Sequence, residues 1–116
     1  MSIPQYQNLD IIHPYFLNGW KNFGDIFENV EIFKNKDGLV TLSGLITGDY
    51  SKIMFRLPEG WKPKNQLIFS VMSDNITRRL DINSNGELFI NKGGNIGSIS
   101  GNGWVSLDGI SFYAKH

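Results

Sequence analysis

The chain contains no cysteine. That excludes disulfides, iron–sulfur clusters, thiolate zinc sites and cysteine nucleophiles. Histidine is nearly absent as well, since only His13 and the terminal His116 occur, so a histidine-based metal site or catalytic triad has almost no material. An excess of charge of either sign is missing too. The 11 basic and 11 acidic side chains cancel, which argues against a nucleic-acid binder with a broad basic face and against a polybasic membrane anchor. Uninterrupted apolar runs reach only three or four residues, far short of a membrane-spanning helix. The start Met1-Ser2-Ile3-Pro4-Gln5 has no basic segment followed by an apolar core, so no signal peptide and no membrane insertion are expected.

What is present is globular: 41% apolar and 19% charged residues in 116 positions. This length fits one domain that buries about two-thirds of its unfolded surface without disulfide or metal staples. Glycine (13) and asparagine (a dozen) are abundant. Both tolerate positive φ and mark turns, so many turns at short spacing point to an all-β domain of short strands.

The chain reads as two regions. Residues 1–19, with Ile3-Pro4 and His13-Pro14 disfavouring helix, form an extended apolar arm that packs on the domain or on a neighbouring chain. Residues 20–116 read as strand and turn. Val30 and Ile32 alternate in a strand over 28–34, and Lys36-Asp37-Gly38 turns it. Residues 39–47 follow as one strand with Val40, Leu42 and Ile46 on one face. Further strands are expected over 52–57, 66–72 (Leu67, Phe69, Val71 on one face), 76–82, 87–91, 104–107 and 110–115, with a turn at Asn83-Ser84-Asn85-Gly86. Residues 92–103 carry five glycines and read as a flexible loop or a weak edge hairpin. Eight or nine short strands with no helical segment predict an antiparallel β-sandwich, jelly-roll-like.

Motifs for chemistry are sparse. There is no Gly-x-Ser-x-Gly elbow. Gly93-Gly94-Asn95-Ile96-Gly97 lacks the Lys-Ser/Thr ending of a phosphate loop, and Asp81 to Glu87 lacks the spacing of a calcium loop and reads as a hairpin turn. Asp37, Asp49 and Asp108 read as turn residues. Neither a metal nor a cofactor is expected. Sugar binding uses aromatic stacking with amide, carboxylate and guanidinium hydrogen bonds, for which the loop candidates are Tyr15, Trp20, Tyr50, Trp61 and Trp104. Trp20 and Trp104 read as core; Trp61, between two prolines, stays open between packing and stacking. Arg78 shares a face with Ile76, Leu80 and Ile82. It pairs with a carboxylate at a subunit interface or binds ligand. Arg79 and Asp81 share the other face and most simply form a solvated pair worth little.

Four segments occur in order: Leu17-Asn18-Gly19-Trp20, Leu42-Ser43-Gly44-Leu45-Ile46, Leu57-Pro58-Glu59-Gly60-Trp61-Lys62-Pro63, and Trp104-Val105-Ser106-Leu107-Asp108-Gly109-Ile110-Ser111-Phe112. Together they resemble the C-terminal head domain of phage and prophage tail-fibre and receptor-binding proteins of Gram-positive hosts, over residues 17 to 115. The resemblance implies a homotrimeric β-sandwich at the phage tail tip of the virion, without enzymatic activity. It adheres to host cell-wall polysaccharide or teichoic acid, contacts other phage tail proteins and binds no nucleic acid. It also implies that Trp20, Gly44, Gly60, Trp104, Asp108 and Gly109 are scaffold. The contact candidates are Tyr15, Tyr50, Trp61, Arg78, Arg79 and Asp81. Two other expectations are weighed beside it. One is a structural tail or baseplate component that meets only other tail proteins and exposes an apolar patch of several hundred Å². The other is a polysaccharide-cleaving enzyme, which needs two carboxylates roughly 5–10 Å apart across a groove.

Overall fold

Alternating apolar residues decide which side of each strand turns inward. The computed structural model, which describes residues 10–115, is all-β, and no helix occurs among those residues. Its ten strands are β1 (Asp10–Ile12), β2 (Lys21–Asn22), β3 (Glu31–Lys34), β4 (Leu39–Ser43), β5 (Leu45–Asp49), β6 (Leu67–Ser73), β7 (Ile76–Ile82), β8 (Leu88–Asn91), β9 (Asn102–Ser106) and β10 (Ser111–Tyr113). They pair antiparallel in three sheets, ordered β1-β3-β4-β10, β2-β5-β9 and β6-β7-β8, in a sandwich-like arrangement. The expected alternation holds: Val30, Ile32, Val40, Leu42 and Ile46 are all buried, with Trp20 beside them. The β3–β4 hairpin turns at Lys36-Asp37-Gly38, where Gly38 has φ 88°.

The strand expected over residues 39–47 is two strands. It breaks at Gly44, whose φ is 115°, so β4 stays beside β3 while β5 crosses to pair with β2 and β9. The chain turns the same corner again between β9 and β10, and the two corners bond to each other. Leu107 N donates to Gly44 O at 2.9 Å, and Gly44 N donates to Asp108 Oδ1 at 2.8 Å. Asp108 and Gly109 therefore make the last turn and also anchor the first corner. No side chain fits at Gly44, because a Cβ there would lie 2.6 Å from Val30 Cα.

Two further expectations change. Residues 52–57 form no ladder. Their backbone splits its bonds between Leu17 on one side and Leu88 and Gly86 on the other, although Met54, Phe55 and Leu57 are buried. The described part of the arm packs on its own domain: β1 joins β3 as an edge strand, and Phe16 meets Phe55 edge-to-face at 5.9 Å. Ile3-Pro4 lies outside the described residues. The glycine-rich stretch is loop up to Gly101, where β9 begins one residue later.

Candidate binding site

The β6–β7 hairpin turns on Asp74 and Asn75, both with positive φ (50° and 67°), the geometry of a tight two-residue turn. This turn aims Ser73 and Asp74 at the neighbouring β9. Ser73 Oγ donates to Trp104 O at 2.7 Å, and Trp104 N donates to Asp74 Oδ1 at 3.3 Å, so side chains join two sheets where no ladder does. Tyr50 Oη donates to Asp74 Oδ2 and lies 2.8 Å from Ser73 Oγ. Burial, then the hydrogen bond to Asp74, pushes the Tyr50 hydroxyl above its ordinary pKa. Gly103 leaves the space for this pair, since a Cβ there would overlap both Asp74 Oδ2 and Tyr50 Oη.

Arg78 completes the cluster. Its guanidinium lies over the Tyr50 ring at 4.7 Å, and its Nε donates to Ser73 Oγ at 3.1 Å. Stacking fixes the plane of the group and leaves its two terminal nitrogens for another acceptor. Next along β7, Arg79 grips Asp81 with two bonds of 2.7 and 2.9 Å. Asp81 also accepts from Gln66 Nε2 at 2.7 Å and Asn91 Nδ2 at 3.2 Å. It is 0% exposed, which corrects the expectation of a solvated pair. On this face Asp81 sits beside the buried Phe89 and Asn91, while Ile68, its register partner on the other side, is exposed. Burial raises the Asp81 carboxyl, but the bonds from Arg79, Gln66 and Asn91 outweigh it and hold the pKa below its ordinary value.

A cleft opens where β8 ends at Asn91 while β7 runs on to Ile76. Its volume is about 420 Å³, and Thr77, Arg78, Arg79, Asn91, Lys92 and Ile99 are among its walls. Asn91 Oδ1 holds the glycine-rich loop over one side by accepting from Gly94 N at 2.9 Å and Ser98 Oγ at 3.1 Å. The cleft thus presents Arg78, the Asp81-compensated Arg79 and Lys92, together with a hydroxyl and an amide. That set matches an anionic, hydroxyl-rich ligand.

The other candidates fall elsewhere. Tyr50 (3% exposed) and Trp61 (8% exposed) are core residues rather than sugar-facing rings. Trp61 is also capped by Lys34, whose Nζ lies 4.5 Å from the ring centre and donates to Gly60 O at 2.8 Å. Tyr15 is 85% exposed and does not line the cleft. Lys92, Asn91 and Thr77 escaped the sequence reading; the available signal was a lysine at a strand end entering a glycine-rich loop. Asn83 Oδ1 accepts from Asn85 N and Glu87 N, so that segment is the expected hairpin turn. Among the described residues no group of three or more histidine, aspartate or glutamate side chains is arranged to hold a metal. Comparison with models of protein families, with curated proteins and with solved structures finds no match for this chain.

Proposed function

We propose that this chain is a phage or prophage tail adhesion head that acts as a homotrimer, without enzymatic chemistry, and binds a phosphate-bearing cell-surface polysaccharide. The observation that carries the reading is the cleft beside β7, whose walls include Arg78 and Lys92, neither of them in a direct ion pair among the described residues. Thr77 and Asn91 supply hydrogen-bonding groups for sugar hydroxyls. The four ordered segments that resemble receptor-binding heads support the wider assignment, and avidity across three copies would multiply a weak single-site affinity. Asp81 is committed to three side-chain partners and Asp74 to Tyr50 and the Trp104 backbone, which favours a structural role for both over acid catalysis.

A structural tail component remains the second reading. It is favoured by the exposed apolar residues Phe23, Ile26 and Phe27, which such a component would cover with another tail protein. Sedimentation of the protein with purified Gram-positive cell walls separates the two. Adhesion requires co-sedimentation, reduced at least about tenfold by Lys92→Glu, an exposed residue outside the core. Absence of co-sedimentation with every wall type tested, or binding indifferent to Lys92→Glu, contradicts the reading.

A further inference from the structure

Apolar residues occupy both faces of the β2-β5-β9 sheet. Ile46 and Val105 face inward and are 0% exposed. Leu45 and Trp104 have the opposite parity, and both are half-buried at the surface. Phe23, just past β2, and Met72 of β6 extend the same outer face, at 40% and 49% exposed. An antiparallel sheet at a domain surface ordinarily turns polar residues outward. The loop after β2 sharpens the contrast. Phe27 N donates to Gly24 O at 3.1 Å, the Phe23 and Phe27 rings pack edge-to-face at 5.4 Å, and Ile26 is left 86% exposed.

This loop is a ridge between two concavities. On one side is an apolar groove of about 520 Å³, lined chiefly by Phe23, Phe27, Leu45, Met72 and Trp104. On the other is a polar hollow of about 660 Å³ that includes His13, Asn29 and Glu31. We infer that this face is where one copy of the chain docks on another, the Ile26 ridge of one copy entering the apolar groove of the next. The inference rests on the oligomeric part of the reading above, not on its ligand.

Area and shape favour a second copy. The exposed parts of Phe23, Ile26, Phe27 and Met72 amount to on the order of 400 Å². A standard interface buries about 800 Å² per partner, roughly 56–65% of it apolar, so this patch supplies most of the apolar centre of one such surface. A ridge beside a groove lets a surface fit a copy of itself. The rim adds a signature of its own. Asp25, Glu28 and Asp108 border the two concavities and are exposed. Docking of like copies brings these acids nearer one another, so added salt strengthens the contact by screening. A foreign partner with a basic rim would show the opposite dependence.

The test is the mass of the full 116-residue chain in solution, by light scattering and sedimentation equilibrium across micromolar concentrations, at about 0.05 and about 0.5 M salt. The expected result is a multiple of 13.1 kDa, with tighter association at high salt. Ile26→Asp and Met72→Lys each raise the dissociation constant at least about thirtyfold. The two approach the contact from separate segments, and matched thermal unfolding excludes a folding defect. Tyr113→Asp, 68% exposed and lining neither concavity, leaves association unchanged. A multimer unmoved by Ile26→Asp and Met72→Lys overturns this interface while leaving the oligomeric reading in place. A monomer at every concentration overturns the oligomeric reading and this interface with it. A monomer that instead binds another tail protein through Ile26, more weakly as salt rises, assigns the face to that protein and overturns the second copy.

Discussion

Replacing Gly44 by alanine should damage the fold far more than one methyl group suggests. Gly44 has φ 115°, a region in which an L-residue costs about 1–3 kcal/mol. Its new Cβ would sit 2.6 Å from Val30 Cα, 2.7 Å from Val30 N and 2.9 Å from Asn29 C. All three are backbone atoms, so no side chain can swing away, and the two chain segments must separate at a further cost of about 1–3 kcal/mol. Restricting the unfolded chain returns about 0.4–1 kcal/mol. The net expectation is a loss of about 1–5.5 kcal/mol, against a total stability of roughly 6–17 kcal/mol for 116 residues. With a urea slope of about 2 kcal/mol/M, the midpoint of unfolding falls by about 0.5–2.8 M. A shift smaller than about 0.3 M, with the near-ultraviolet spectrum retained, would refute the argument that this corner admits no side chain.

Two further substitutions probe the polar clusters. Asp81 has a folded pKa below its ordinary 3.8, so its charge stabilises the protein above that pH, and the contribution is lost as pH falls through the depressed folded value. Asp81→Asn should flatten this part of the acid limb in denaturant titrations between about pH 5 and 2, and should cost about 1–3 kcal/mol at pH 7. That is less than for a fully buried pair, because the Arg79 side chain is 36% exposed. Tyr50→Phe removes the hydroxyl that meets Ser73 and Asp74. It should lower stability by about 1–3 kcal/mol while the ring keeps its place under Arg78, as equilibrium unfolding and near-ultraviolet circular dichroism would report.

Much of the fold was legible because one-sided alternation is a direct consequence of a strand with one face in the core. Val40, Leu42 and Ile46 declared their burial in this way, and Asp108-Gly109 declared its turn. The alternation was blind to the corner at Gly44, because residues 39–47 keep period 2 on both sides of it while the chain changes sheets. It was equally blind to the side chains of Gln66, Arg79 and Asn91, which close over Asp81 on an otherwise partly exposed face. Tyr50 and Trp61, contact candidates by sequence, are core residues, each with a cation lying over its ring. Arg78 stands out in the sequence as a cation on an otherwise apolar face. Its stacking partner Tyr50, 28 positions earlier in the chain, and Lys92 across the cleft are brought to it by sheet pairing that no local pattern encodes.

The most direct measurement is a calorimetric titration of the protein with purified cell-wall polysaccharide, intact and after chemical removal of its phosphate. The account predicts saturable binding to the intact polymer. It also predicts at least a tenfold loss (about 1.4 kcal/mol) on dephosphorylation, and a similar loss for Lys92→Glu on the intact polymer. Equal affinity for both polymers, or no binding by a folded protein to either, would contradict it.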